Sequence, residues 1–169
     1  MTTLFTALRA LTFMTGFFLV GGWLALSVRS FDRRYDLALP PWTALPGAIA
    51  MAAGAALALL CVGTFVLRGR GTPAPFDPPR QFVAVGPYRY VRNPMYIGGL
   101  TLLAGLGLYL HSVAILVLAV LWFGFAHLFV VVYEEPTLRS SFQAASETYC
   151  RSVPRWLPRG PRPLGAPPK

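Results

Sequence analysis

Between residues 86 and 96 the chain reads GPYRYVRNPMY, which sets Tyr88, Arg89, Tyr90, Arg92, Asn93 and Tyr96 close together. Phenol hydroxyls, guanidinium groups and an amide at that density can line a polar pocket. The same residue types also anchor a helix end among lipid headgroups. A second polar group, Tyr133, Glu134, Glu135 and Pro136, follows a long apolar run. Two adjacent carboxylates at the end of a helix oppose the partial negative charge already presented there, so they call for cationic partners. The arginines of the preceding loop could serve, and so could a cationic ligand. Successive helical residues point about 100° apart, so the two carboxylates need not face one site. His127 lies about two turns before Glu134 on roughly the same face. It is either a further polar candidate inside the apolar run or a hydrogen-bonded link to a neighbouring helix.

The elements that position these groups are written in long apolar runs. Of the 169 residues 55% are hydrophobic, and no charged residue lies between Arg9 and Arg29, which excludes an ordinary soluble globule. Residues 10–28 just suffice to cross a hydrocarbon core of roughly 30 Å at about 1.5 Å per residue. Absence of a clear small-residue cleavage site before Arg29 favours an uncleaved helix over a secretion signal. A second span is expected over 44–67, because Pro40 and Pro41 break helical hydrogen bonding before it. The stretch from Asn93 to Tyr133 would be about twice as long as one crossing needs. It must fold back, and Gly105, Gly107, His111 and Ser112 suit a tight turn near 109–112. Spans of 94–109 and 112–133 result, with Gly98, Gly99, Gly105 and Gly107 expected to allow close packing within that hairpin.

The expectation is therefore an all-α integral membrane protein with four transmembrane helices, a C-terminal helical hairpin and an interfacial C-terminal helix. Arg68, Arg70, Arg80, Arg89 and Arg92 follow the second span, and Arg139, Arg151, Arg155, Arg159, Arg162 and Lys169 follow the fourth. The bias of Arg and Lys toward short cytoplasmic loops puts both termini inside, in the inner membrane if the source is bacterial. The net charge of +9 is explained by anionic headgroups, since no nucleic-acid motif accompanies the basic residues. Cys61 and Cys150 fall at different depths and show neither disulfide nor metal-ligand spacing. Residues 68–93 form a Pro-stiffened cytoplasmic loop. Leu138, Phe142, Ala145 and Tyr149 give 137–150 an amphipathic helical pattern, and 158–169 reads as a Pro- and Gly-rich flexible tail.

Taken in order, GPYRYVRNPMY, an apolar hairpin, EEPTL and FQAASETYCRSVPRWLP resemble the isoprenylcysteine carboxyl methyltransferase family and its phospholipid methyltransferase relatives. The likeness runs from about Arg80 to Pro158. It implies an S-adenosylmethionine-dependent membrane methyltransferase, with the cofactor held on the cytoplasmic side and a lipophilic or small acceptor entering from the bilayer. Carried over by position, the cofactor contacts fall on Arg80, Gln81, Phe82, Val83, Tyr88, Asn93, Pro94, Met95, Tyr96 and Glu134. Glu134 suits the ammonium of such a cofactor, and aromatic faces suit its sulfonium. If the acceptor must lose a proton, Tyr96 and Glu135 are the available bases. Three positions depart from the family pattern. Asn93 stands where His is common, Phe142-Gln143 stands for Phe-Gly, and Val130 replaces an Arg that binds the prenylcysteine carboxylate. A phospholipid amine or a small thiol are the alternative acceptors. An NADPH-dependent membrane reductase and a non-catalytic scaffold or lipid-binding protein are the readings from other classes.

Overall fold

The computed structural model describes residues 3–69 and 84–160, and among them every regular element is helical. Helix α1 spans Thr3–Val28 and α2 is the short Ser30–Tyr35. A 3-10 turn at Pro41–Thr43 leads into α3, Ala44–Thr64, which ends in a widened π-helical turn at Phe65–Gly69. Helices α4, Pro94–Tyr109, and α5, Val113–Phe129, form the hairpin. A second π-helical turn, Val130–Glu134, joins α5 to α6, Glu135–Ser152. Two continuous helical stretches, Pro41–Leu67 and Val113–Gln143, are long and apolar enough to cross a membrane; Pro94–Tyr109 is apolar but shorter.

Helices α3 and α4 are antiparallel and pack backbone to backbone. A Cβ on Gly54 would lie 2.6 Å from both the Gly98 carbonyl oxygen and the Leu102 nitrogen. At the other end of the pair, a Cβ on Gly47 would lie 2.5 Å from the Tyr109 nitrogen. Between helices in lipid there is no hydrophobic drive, so close approach and dispersion contacts must supply the association. The glycines of α4 thus divide differently from the sequence expectation. Gly98 and Gly105 face α3, only Gly107 meets the hairpin partner, at Leu116, and Gly99 has nothing within 4 Å. The physical reason is that the hairpin is held together at its turn, whereas α3 and α4 lie in contact along their lengths.

A polar knot secures that turn. The chain reverses through His111, at φ 54°, and Ser112 caps α5 by accepting a hydrogen bond from the Ile115 amide at 3.1 Å. Asp32 of α2, itself buried, accepts from the Ser112 hydroxyl and from the Ala114 amide at 2.9 Å. A carboxylate there satisfies free amide groups of the first turn and complements the helix dipole. Thr43 bonds the Leu108 carbonyl at 2.9 Å and His111 Nδ1 at 3.1 Å, fastening the start of α3 to the same turn.

At the opposite end, α6 continues directly from α5. Pro136 sits in its first turn, where a missing amide hydrogen is tolerated. The break comes instead at Gln143, whose φ of 41° and ψ of −119° lie in a region natural to glycine. This is the position where the family pattern has Gly. The kink turns the second half of α6 back toward α4, burying Ser146 and Tyr149.

Gly54→Val should lower the thermal stability of the detergent-purified protein by about 1–3 kcal/mol, while Gly99→Ala should change it little; equal melting of the two variants would refute the backbone contact. Gln143→Gly should raise stability by about 1 kcal/mol through release of backbone strain. A lower melting temperature for that variant would show that the kink is not strained.

Candidate active site

The two carboxylates at the end of α5 diverge. The apolar run stops at Tyr133, and the π-helical turn delivers Glu134 toward α4 and Glu135 toward the loops on the other side. Glu134 Oε2 accepts a hydrogen bond from the Tyr96 hydroxyl at 2.9 Å. It makes no ion pair with any described cation. Burial pushes its carboxyl above the usual range; the Tyr96 hydrogen bond opposes this, and the neighbouring Glu135 charge adds to the rise.

Glu135 has the opposite surroundings. Arg155 reaches it with two bonds, Nε to Oε1 at 2.7 Å and Nη2 to Oε2 at 3.0 Å, and Arg92 Nη1 reaches Oε1 at 2.8 Å. Burial alone would push this carboxyl up, but the Arg155 hydrogen bonds and the charges of Arg92 and Arg155 outweigh it and hold it low. The same bonds raise Arg155.

The remaining sequence-selected residues supply framework around this pair. Asn93 is 5% exposed and donates from Nδ2 to the Arg155 carbonyl at 3.1 Å. Pro94 is fully buried at the start of α4. Tyr88 is buried with Cys61, and Met95, Leu57 and Phe65 pack against them. The Tyr149 hydroxyl donates to the Tyr88 carbonyl at 2.8 Å, so the second half of α6 grips the turn before α4. Burial pushes both phenols well above their ordinary range. Val130, 1% exposed, lies in the core. Arg80, Gln81, Phe82 and Val83 lie outside the described residues. Of the positions carried over from the resemblance, Tyr96 and Glu134 are the two that touch through their polar groups.

Trp156 was not singled out as a site residue by the sequence. Its ring meets Tyr96 edge-on at 6.3 Å between centroids and Phe123 at 5.1 Å, and its indole N–H donates to His127 Nδ1 at 2.9 Å. An aromatic wall therefore stands beside the Tyr96–Glu134 pair. The signal was present in the segment SVPRWLP, but nothing in its composition tells that it folds back against α4 and α5. His127 takes the hydrogen-bonded role through this indole.

A partly buried carboxylate bonded only by a hydroxyl, with tyrosine and tryptophan faces nearby, has the chemistry to hold a cation. It fits the ammonium or sulfonium of S-adenosylmethionine. Among the described residues no group of three or more His, Cys, Asp or Glu is placed to hold a metal ion.

Comparison with known proteins identifies a family. The pattern of the phospholipid methyltransferase family matches residues 42–145, while no curated protein and no solved structure matches the chain. The matched stretch takes in α3, the turn before α4, the hairpin and both carboxylates. Covering more than half of the sequence, it establishes that the chain belongs to the phospholipid methyltransferase family, a family of small membrane methyltransferases.

Proposed function

We propose that this protein transfers a methyl group from S-adenosylmethionine to a lipophilic or small acceptor at the cytoplasmic face of a membrane. The observation that carries the reading is the Tyr96–Glu134 pair, a half-buried carboxylate whose hydrogen-bonding partner is a neutral hydroxyl. Glu134 holds the positively charged end of the cofactor, and Tyr96 orients that carboxylate. Asn93, Pro94 and Met95 set the turn from which Tyr96 projects, and Tyr88 braces it from the core. By the resemblance, Arg80, Gln81, Phe82 and Val83 contribute further cofactor contacts.

The bound cofactor supplies a methyl group already activated on a sulfonium, so the chain has to orient the partners and exclude water. A carboxylate acceptor needs no base. For an amine or thiol, Tyr96 and Glu135 are the bases within the sequence pattern. Glu135 is committed to three bonds from two arginines. Tyr96 is the less committed of the two, since its hydroxyl makes a single bond, to Glu134. Valine at position 130 leaves no cation where, by the resemblance, prenylcysteine enzymes bind the substrate carboxylate, which favours a phospholipid amine or a small thiol. The reading includes four spans, 10–28, 44–67, 94–109 and 112–133, with both termini cytoplasmic.

Calorimetric titration of the detergent-purified protein should show micromolar binding of S-adenosylmethionine and none of NADPH. Binding of neither by a folded sample would point to a scaffold. Glu134→Gln should weaken cofactor binding about tenfold by removing a charge-assisted contact, and Tyr96→Phe a few-fold by removing one hydroxyl. Unchanged affinity in both variants would remove these residues from the site. The raised Glu134 carboxyl sets the pH dependence. A cation is held only by the ionised form, so affinity should be full above the raised value and fall as pH drops through it. Titration of Glu134→Gln across weakly acidic pH should be flat, and a slope equal to that of the parent would assign the effect elsewhere.

A further inference from the structure

A cleft of about 340 Å³ opens beside Glu135 and is lined by Arg92, Arg139, Arg151 and Arg155 together with Glu135 and Glu147. Neither Tyr96 nor Glu134 lines it. We infer that this cleft binds the phosphate group of a membrane lipid headgroup, at a site separate from that of the methyl donor.

The charges in the cleft do not balance internally. Glu135 is shared by Arg92 and Arg155, which leaves one positive charge over. Arg139 and Arg151 make no hydrogen bond or ion pair with another described residue, and Glu147 can offset only one of them. The excess is thus two positive charges converging on one cavity. Arg92 Nε is buried and has no hydrogen-bond partner among the described residues. Phosphate oxygens match the planar fork of a guanidinium, and several guanidiniums on one anion make an ordinary phosphate site.

Position selects the source. Arg139 precedes the kink of α6 and Arg151 follows it, while Arg92 comes from the turn before α4. The cleft therefore lies just beyond the apolar run that ends at Tyr133. In the membrane reading proposed above, that is the depth of lipid headgroups. The inference rests on that placement and not on methyl transfer. A lipid phosphate held here would join both arms of the kinked α6 to the turn that starts α4. The basic residues then act as a defined receptor and not only as a diffuse anionic-surface attraction.

The test uses the full chain in a phosphate-free detergent. Phosphatidylglycerol added to the micelles should raise the melting temperature, and diacylglycerol, which has the same chains without phosphate, should not. The Arg139→Gln/Arg151→Gln double variant should need about tenfold more phosphatidylglycerol for the same shift, because two charged contacts are lost. Its affinity for S-adenosylmethionine should match the parent's, which separates this proposal from the methyltransferase reading. Arg139→Lys/Arg151→Lys should recover part of the response. Inorganic phosphate at matched ionic strength distinguishes the sources: a response only to the lipid supports a headgroup site, and an equal response at equal concentration overturns the lipid assignment. No phosphate-dependent shift, or an undiminished one in the glutamine variant, would overturn the site. Loss of S-adenosylmethionine affinity in that variant would instead give the cleft to the cofactor and overturn the inference.

Discussion

Glu135 is the joint on which this end of the molecule depends. It comes from the start of α6, Arg92 from the turn before α4, and Arg155 from the segment that follows α6. One carboxylate therefore ties together three pieces of chain that are far apart in sequence. With side-chain exposures of 10% for Glu135, 15% for Arg92 and 31% for Arg155, the group is largely withdrawn from water. Two cations on one anion are tolerable there only while the geometry holds. Removing Glu135 would leave two arginines facing each other without their anion, whereas removing one arginine leaves the carboxylate paired with the other. Further backbone bonds reinforce the same closure, with the Arg92 amide donating to the Pro154 carbonyl at 2.9 Å and the Arg159 amide to the Tyr90 carbonyl at 3.1 Å.

Because Glu135 absorbs the arginines, Glu134 does not meet them. This division of labour explains how two adjacent carboxylates persist at a helix end that disfavours both. One is neutralised by the protein, and the other stands beside Tyr96, where a cationic ligand can complete it. The π-helical turn Val130–Glu134 matters here, since widening the helix by a residue changes the directions in which the two side chains leave it. At the far end, Asp32 and Ser112 fix the hairpin turn. Along the middle, the glycines of α3 and α4 bring those helices into backbone contact. Tyr96 thus projects from a helix located at both ends and along one side.

The helical character and the long apolar stretches were legible in the sequence because they follow from local composition. So was the divergence of Glu134 and Glu135, which is a consequence of helical spacing. What the sequence could not express was which distant groups would meet. Asp32 has no sequence pattern that points to a distant helix, yet it accepts from the first turn of α5. Gly98 and Gly105 read as hairpin glycines, yet they face α3, because a small residue declares that something comes close without declaring what. Trp156 and Arg155 lie in the segment SVPRWLP, whose composition does not say what it packs against. Their places beside Tyr96 and Glu135 follow from the kink at Gln143, which has no periodic signature and falls where the family pattern has Gly and this chain does not.

The departures from the family pattern can be judged by what each position does. Asn93, found where His is common, uses its amide N–H to hold the Arg155 carbonyl. A neutral imidazole N–H could make the same bond, so the exchange preserves a donor and gives up only an ionisable group. Gln143 preserves the kink at a cost in backbone strain. Val130 is different in kind, since a buried valine supplies nothing that an arginine would have supplied. Two departures keep the framework that presents Tyr96 and Glu134, and the third places an apolar side chain in the core. A chain altered in this way keeps the framework around Tyr96 and Glu134, and the one departure for which the structure offers no substitute is the buried valine.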